Sequence, residues 1–205
     1  MIVKLYKENP DYNRIYKVVD VLKNGGVIVV PTDSVYGFAC DIYNQKAVGR
    51  IAKLKGIKTE KANFSFICYD LSHLSDFTRQ VDNNIFKLMK KNLPGPFTFI
   101  LKAGNNVPKI FHNRKKTIGI RIPDNQITLE IVRELGNPLL ISSVHHKDEI
   151  LDYITDPELI HDEYSGLVDL VVDGGFGSNE PSTVIDCTDD EPVIIREGLG
   201  ELRDY

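Results

Sequence analysis

No run of apolar residues in this sequence approaches the roughly 20 needed to cross a bilayer, and its start carries no basic, apolar leader. Both absences point to a cytoplasmic protein with no membrane partner. Cysteine is scarce: Cys40, Cys68 and Cys187 stand far apart, without CxxC spacing and among apolar or small neighbours, which reads as buried, reduced thiols. A GxGxxG turn, a GxxxxGK[ST] loop and a GxSxG elbow are all missing, so nicotinamide chemistry and acyl transfer through a serine have no support. Any nucleotide is bound by another device. His145 and His146 are adjacent, so a strand would turn them to opposite faces; no carboxylate or cysteine shares a ligand spacing with them, and a structural zinc site is rejected. The formal net charge is -4, which argues against a surface that binds nucleic acid throughout but leaves room for a local basic patch.

What is present fits one α/β domain over residues 1–205: 205 residues at 42% hydrophobic content can fill a sizeable core. Asn9 and Pro10 predict the cap and first position of a helix carrying Ile15, Val18, Val19 and Leu22 inward. Gly25 and Gly26 end it. Val27 to Val30 is a short β-branched run that suits a strand buried on both faces. A second helix turns Ala47, Val48, Ile51 and Leu54 inward, and a strand follows at Phe64 to Cys68. Helices are predicted over Val81–Asn92 and Gln126–Leu135. Further strands are predicted over Phe97–Leu101, Thr117–Ile122, Leu139–Ser142, Leu167–Val172, Ser182–Asp186 and Val193–Arg196. Some strands are separated by helices and the last ones only by turns, so the expected fold is an open, twisted mixed sheet flanked by helices.

Three groups of residues could carry chemistry. Pro31-Thr32-Asp33-Ser34-Val35-Tyr36-Gly37 follows a buried strand, where ligands bind at sheet edges. The same residue types also make turns held by their own side chains. Lys53, Lys55, Lys58 and Lys61 surround Gly56 and suit phosphate as point charges; equally, lysines at a helix end answer its dipole. Arg121 and Arg196 each end an apolar strand before a turn residue, and either can aim a planar fork at a carboxylate or phosphate. Salt bridges to Asp124 or Glu197 are the alternative. Ser142-Ser143 and Ser182-Thr183 would add hydroxyls to the same pocket.

PTDSVYG, Lys55-Gly56, NLPGPFTFIL, TIGIRIP, PSTVID and IIREGLG occur in this order from about Gly25 to Gly200, and together they resemble the YrdC-like proteins. The resemblance implies an open twisted sheet with a basic concave face. It further implies synthesis of threonylcarbamoyl-adenylate and pyrophosphate from L-threonine, bicarbonate and ATP, the first step toward N6-threonylcarbamoyladenosine in tRNA. By position, Thr32, Ser34, Tyr36, Arg121 and Ser182 would bind threonine, with Arg121 on its carboxylate. Lys55, Lys58, Thr117, Ser143, His145 and Arg196 would bind ATP, and Lys55, Arg121 and Ser143 would be the catalytic set. Mg²⁺ would ride mainly on the ATP phosphates, with no protein metal site.

Two departures stand out. The family's lysine-any-arginine signature reads Lys55-Gly56-Ile57 here, and its serine-any-asparagine signature reads Ser143-Val144-His145. With NFSFICYDLSHLS after the lysines, these make the chain resemble the YciO-type branch. Losing one preorganised donor can cost about 100- to 1000-fold in rate, which leaves two expectations: a weakened synthase, or a module that binds nucleotide, tRNA or double-stranded RNA without this chemistry.

Overall fold

The computed structural model describes residues 1–58, 64–72, 74–111, 116–145, 153–189 and 191–203; Lys61 and His146 lie outside them. The mixed sheet flanked by helices is as expected. In chain order the elements are β1 (Ile2–Lys4), α1 (Tyr12–Lys23), β2 (Ile28–Val30), β3 (Gly37–Asp41), α2 (Gln45–Leu54), β4 (Ser65–Ile67), α3 (Leu74–Phe77) and α4 (Asn83–Asn92). There follow β5 (Phe97–Lys102), β6 (Thr117–Arg121), α5 (Gln126–Leu135), β7 (Leu139–Ser143), α6 (Pro157–Glu163), β8 (Leu170–Asp173), β9 (Thr183–Asp186) and β10 (Val193–Arg196). The strands form one sheet in the order β1-β8-β2-β3-β7-β4-β6-β5-β9-β10. The pairs β1/β8, β2/β8, β4/β6 and β5/β9 are parallel and the remaining neighbours antiparallel.

Helix starts are set by side-chain caps. α1 begins two residues later than Asn9-Pro10 suggests, because the Asp11 carboxylate takes the Asn13 N–H at 2.9 Å. Asn44, Asp82 and Asn125 cap α2, α4 and α5 in the same way. α5 ends at Gly136, whose φ of 84° is the left-handed geometry that stops a helix. The sequence pattern does not announce β1, β3, α3 or α6. Gly37-Phe38-Ala39-Cys40-Asp41 has weak strand propensity, and β3 exists because β2 and β7 pair with it on both sides.

One row of paired residues crosses the sheet: Leu170, Ile28, Ala39, Ile141, Ser65, Gly119, Ile100 and Asp186. Cross-strand partners share a face, so these residues all face the same way. Over the first four, α1 contributes Ile15, Val19 and Leu22 and α5 contributes Ile127 and Ile131 to a closed apolar layer. From Ser65 onward the same face turns polar and opens into a cavity. The opposite face stays apolar throughout: Phe66, Ile120, Phe99 and Ile185 pack with Ala47, Val48 and Ile51 of α2 and Ile85, Leu88 and Met89 of α4. Among the described residues, no helix is long and apolar enough to cross a membrane.

Candidate functional site

The open half of that face forms the floor of a cavity of about 740 Å³, within the size range of small-molecule sites. Thr117, Gly119 and Arg121 of β6 face it, while Ile118 and Ile120 between them point into the core. Thr98, Ile100 and Lys102 do the same on β5, alternating with Phe97, Phe99 and Leu101. A β-carbon on Gly119 would stand 2.5 Å from Ser65 Oγ, so only glycine keeps this part of the floor deep.

Arg121 lines the wall and is 5% exposed. One terminal nitrogen donates to Asp33 Oδ1 and to Ser34 Oγ, each at 3.0 Å, while Nε is buried with no hydrogen-bond partner among the described residues. Asp33, and not the neighbouring Asp124, holds the ion pair; Asp124 instead donates its backbone N–H to Asp33 Oδ2 at 2.9 Å. Burial raises the Asp33 carboxyl above its ordinary range and lowers the Arg121 guanidinium, and their mutual attraction opposes both shifts. Thr32 and Ser34 stand behind this wall: Thr32 Oγ1 donates to Val35 O at 2.8 Å and accepts from Ser34 N at 3.0 Å. The turn is therefore self-bonded and at the same time anchors Arg121.

Tyr36 is among the residues around the cavity, but its fully buried side chain packs in the core, and its hydroxyl donates to Gly175 O at 2.6 Å and accepts from Gly174 N at 3.1 Å. Burial pushes its ionisation upward, so it stays a neutral phenol. Ser182 lies beside Arg121 in the lining, its Oγ 2.9 Å from Thr98 Oγ1. The Ser182 carbonyl receives Arg196 Nε at 3.2 Å and Nη2 at 2.7 Å; this bond, and not one to Glu197, places Arg196 on the rim. Lys55 caps α2 and donates from Nζ to Ser143 O at 2.8 Å; burial lowers its pKa to about 8. Val144 is fully buried, which turns Ser143 and His145 on either side of it toward the cavity.

Tyr36, Thr117, Arg121, Ser143, His145, Ser182 and Arg196 thus share one cavity, with Lys55 one bond away. Lys58 and Ile57 are exposed and lie off the lining. Lys102, Thr98, Ser65, Gly119 and Asp186 are lining residues to which the motifs assign no role, although all but Lys102 lie within the quoted segments. The apolar/polar alternation of Phe97–Lys102 was the signal for the β5 pair. The concavity expected to be basic carries Lys102, Arg121 and Arg196 together with Asp186 and Asp189, and Asp33 matches one of the cations. Among the described residues, no group of three or more His, Cys, Asp or Glu is arranged to hold a metal ion.

An open mixed α/β sheet with a partly uncovered polar face and a buried arginine fork at its edge defines the class. Comparison with known proteins gives the family. The sequence model of the Sua5_yciO_yrdC family, described as telomere recombination, matches residues 20–198, and the chain belongs to this Sua5/YciO/YrdC family. It is 40% identical to Escherichia coli YciO over 98% of this chain and 97% of that protein. The crystal structure of E. coli YciO superimposes with a TM-score of 0.91 over 99% of this chain and 98% of that one. Bacillus subtilis threonylcarbamoyl-AMP synthase is 31% identical over 90% of this chain and 53% of its own length. Pyrococcus abyssi Sua5, crystallised with L-threonine, shares the fold at a TM-score of 0.87 and 23% identity, over 97% of this chain and 57% of that one.

Proposed function

We propose that the protein is a threonylcarbamoyl-AMP synthase-like nucleotidyltransferase of the cytoplasm, consuming L-threonine, bicarbonate and ATP. The observation that carries this reading is Arg121: a guanidinium buried in the cavity wall, locked on one side by Asp33, with Nε unpartnered among the described residues. Arg121 lines the cavity while Asp33 engages only one of its nitrogens, so a ligand carboxylate placed there would pair with the fork. Ser182 lies in the same lining for the rest of an amino acid. Threonine bound to the Sua5 of P. abyssi supports that class of substrate.

The threonine amino nitrogen attacks the bicarbonate carbon, water leaves, and a carbamate forms. A carbamate oxygen then attacks the α-phosphorus of ATP, whose bond to the bridging oxygen breaks to release pyrophosphate. No protein nucleophile is required. Lys55, Arg196 and the Ser143 hydroxyl fit a triphosphate as positioning and charge-neutralising groups, with Thr117 and His145 along the same nucleotide. Mg²⁺ would travel on the phosphate oxygens, because Asp186 and Asp189 on the rim do not make a closed ligand set. The product would feed tRNA modification. Ile57, exposed where the family has arginine, supports a weakened rate. The alternative of a double-stranded RNA or tRNA module would draw on the same cations and has no separate observation behind it.

The test is incubation with α-labelled ATP, L-threonine, bicarbonate and Mg²⁺, against an Arg121→Lys control that keeps the charge beside Asp33 but removes the fork. An adenylate product that requires threonine and fails in the control is expected. No adenylate at high protein concentration would remove the reading.

A further inference from the structure

His145 occupies the position where the family signature has asparagine, and it is not a lone side chain. Its ring lies 4.9 Å from the ring of Tyr153 at an interplanar angle of 32°, and the two residues form an isolated antiparallel bridge. The backbone beneath them is fixed to the core: Tyr164 donates its hydroxyl to the His145 carbonyl at 2.9 Å, and the Tyr164 ring sits edge-on to Phe38 at 4.9 Å and 77°. Val144, wholly buried, donates its N–H to Tyr36 O at 2.9 Å, which prevents the segment from rotating His145 away. The result is a tethered aromatic pair of which His145 lines the cavity, two residues beyond Ser143.

The geometry points to His145, backed by Tyr153, as an aromatic step on which the purine ring of the nucleotide stacks, an affinity element for the base. Two residues of extended chain separate the step from Ser143 by about 6–7 Å, a spacing that a ribose bridges when its phosphate lies near Lys55 and Ser143. Stacking suits this position because a planar base presents a π-face whatever its hydrogen-bonding edge, whereas an asparagine would offer only an amide. The inference rests on the nucleotide-binding part of the proposed function but not on its chemistry.

The experiment is equilibrium binding of ATP and of inorganic triphosphate to the full chain and to the His145→Ala, His145→Phe and Tyr153→Ala variants, alongside the adenylate assay. His145→Ala should weaken ATP about 5- to 150-fold, the loss found for a base–aromatic stack, and leave triphosphate unchanged. His145→Phe should restore most of the ATP affinity, and Tyr153→Ala should repeat the alanine effect more weakly. ATP binding that ignores His145→Ala, or ATP and triphosphate weakened in parallel, would overturn the step while leaving a synthase intact. The expected pattern without any adenylate product would keep the step and remove the synthase. If the unaltered chain binds neither ligand, both fall.

Discussion

Arg121 and Asp33, 88 residues apart, meet at 3.0 Å in a contact that occupies one guanidinium nitrogen and leaves Nε buried without a partner among the described residues. The pair ties the turn after β2 to the end of β6, so the same arginine closes the fold and faces the cavity.

Removing one member of this pair should therefore cost stability as well as function. Arg121→Ala leaves the Asp33 carboxylate buried and uncompensated and is expected to cost about 3–5 kcal/mol, read by urea unfolding. Asp33→Asn combined with Arg121→Met should recover much of that stability while remaining inactive. Additive losses in the double variant would show that the two side chains are not coupled.

The lysine beside Ser143 predicts a pH dependence. Burial lowers Lys55 from 10.5 to about 8, so the folded protein releases this proton before the unfolded chain does. Between those values the unfolded chain binds more protons, and the group's contribution to stability grows as pH rises from 8 to 10.5 and is lost as pH falls through 8. Phosphate binding runs the other way: triphosphate affinity should drop as pH rises through about 8. Lys55→Arg should abolish that drop because guanidinium keeps its charge; a break that persists in the arginine variant would assign it elsewhere.

Gly119 isolates cavity depth from folding. Gly119→Val fills the floor and crowds Ser65 Oγ and Thr98 Cγ2. Nucleotide binding and adenylate formation are expected to fall at least about tenfold, with a stability cost within the roughly 1–3 kcal/mol of an overpacked site. Unchanged ligand affinity, measured by calorimetry, would place the ligand away from this strand.

Tyr36 separates packing from recognition. Its hydroxyl is fully used by Gly174 and Gly175, so Tyr36→Phe should cost about 1–3 kcal/mol of stability through the stranded backbone groups. The apparent KM for threonine should stay nearly constant. A raised KM with unchanged thermal stability would mean that the hydroxyl touches substrate.

Much of the architecture was legible because it is written in local rules. The β-branched Val27–Val30 run, the cap and glycine around Gln126–Leu135 and the alternation in Thr117–Ile122 each state their own conformation. Thr117, Gly119 and Arg121 could even be assigned to one face. β3 was not legible, since its residues have little strand preference and its partners are distant. Thr32 and Ser34 look like ligand groups in the sequence, yet their hydroxyls are consumed by the turn and by Arg121.

The sequence by itself determined the four longest helices, most strands, the buried thiols and the family motifs, because propensity, periodicity and capping act over a few residues. Only the tertiary structure decided that α1 and α5 cover half of one sheet face and leave the other half open. It alone paired Arg121 with Asp33 and set His145 against Tyr153. Those relationships depend on strand order and register, which bring residues tens of positions apart within a hydrogen bond and which no local pattern encodes.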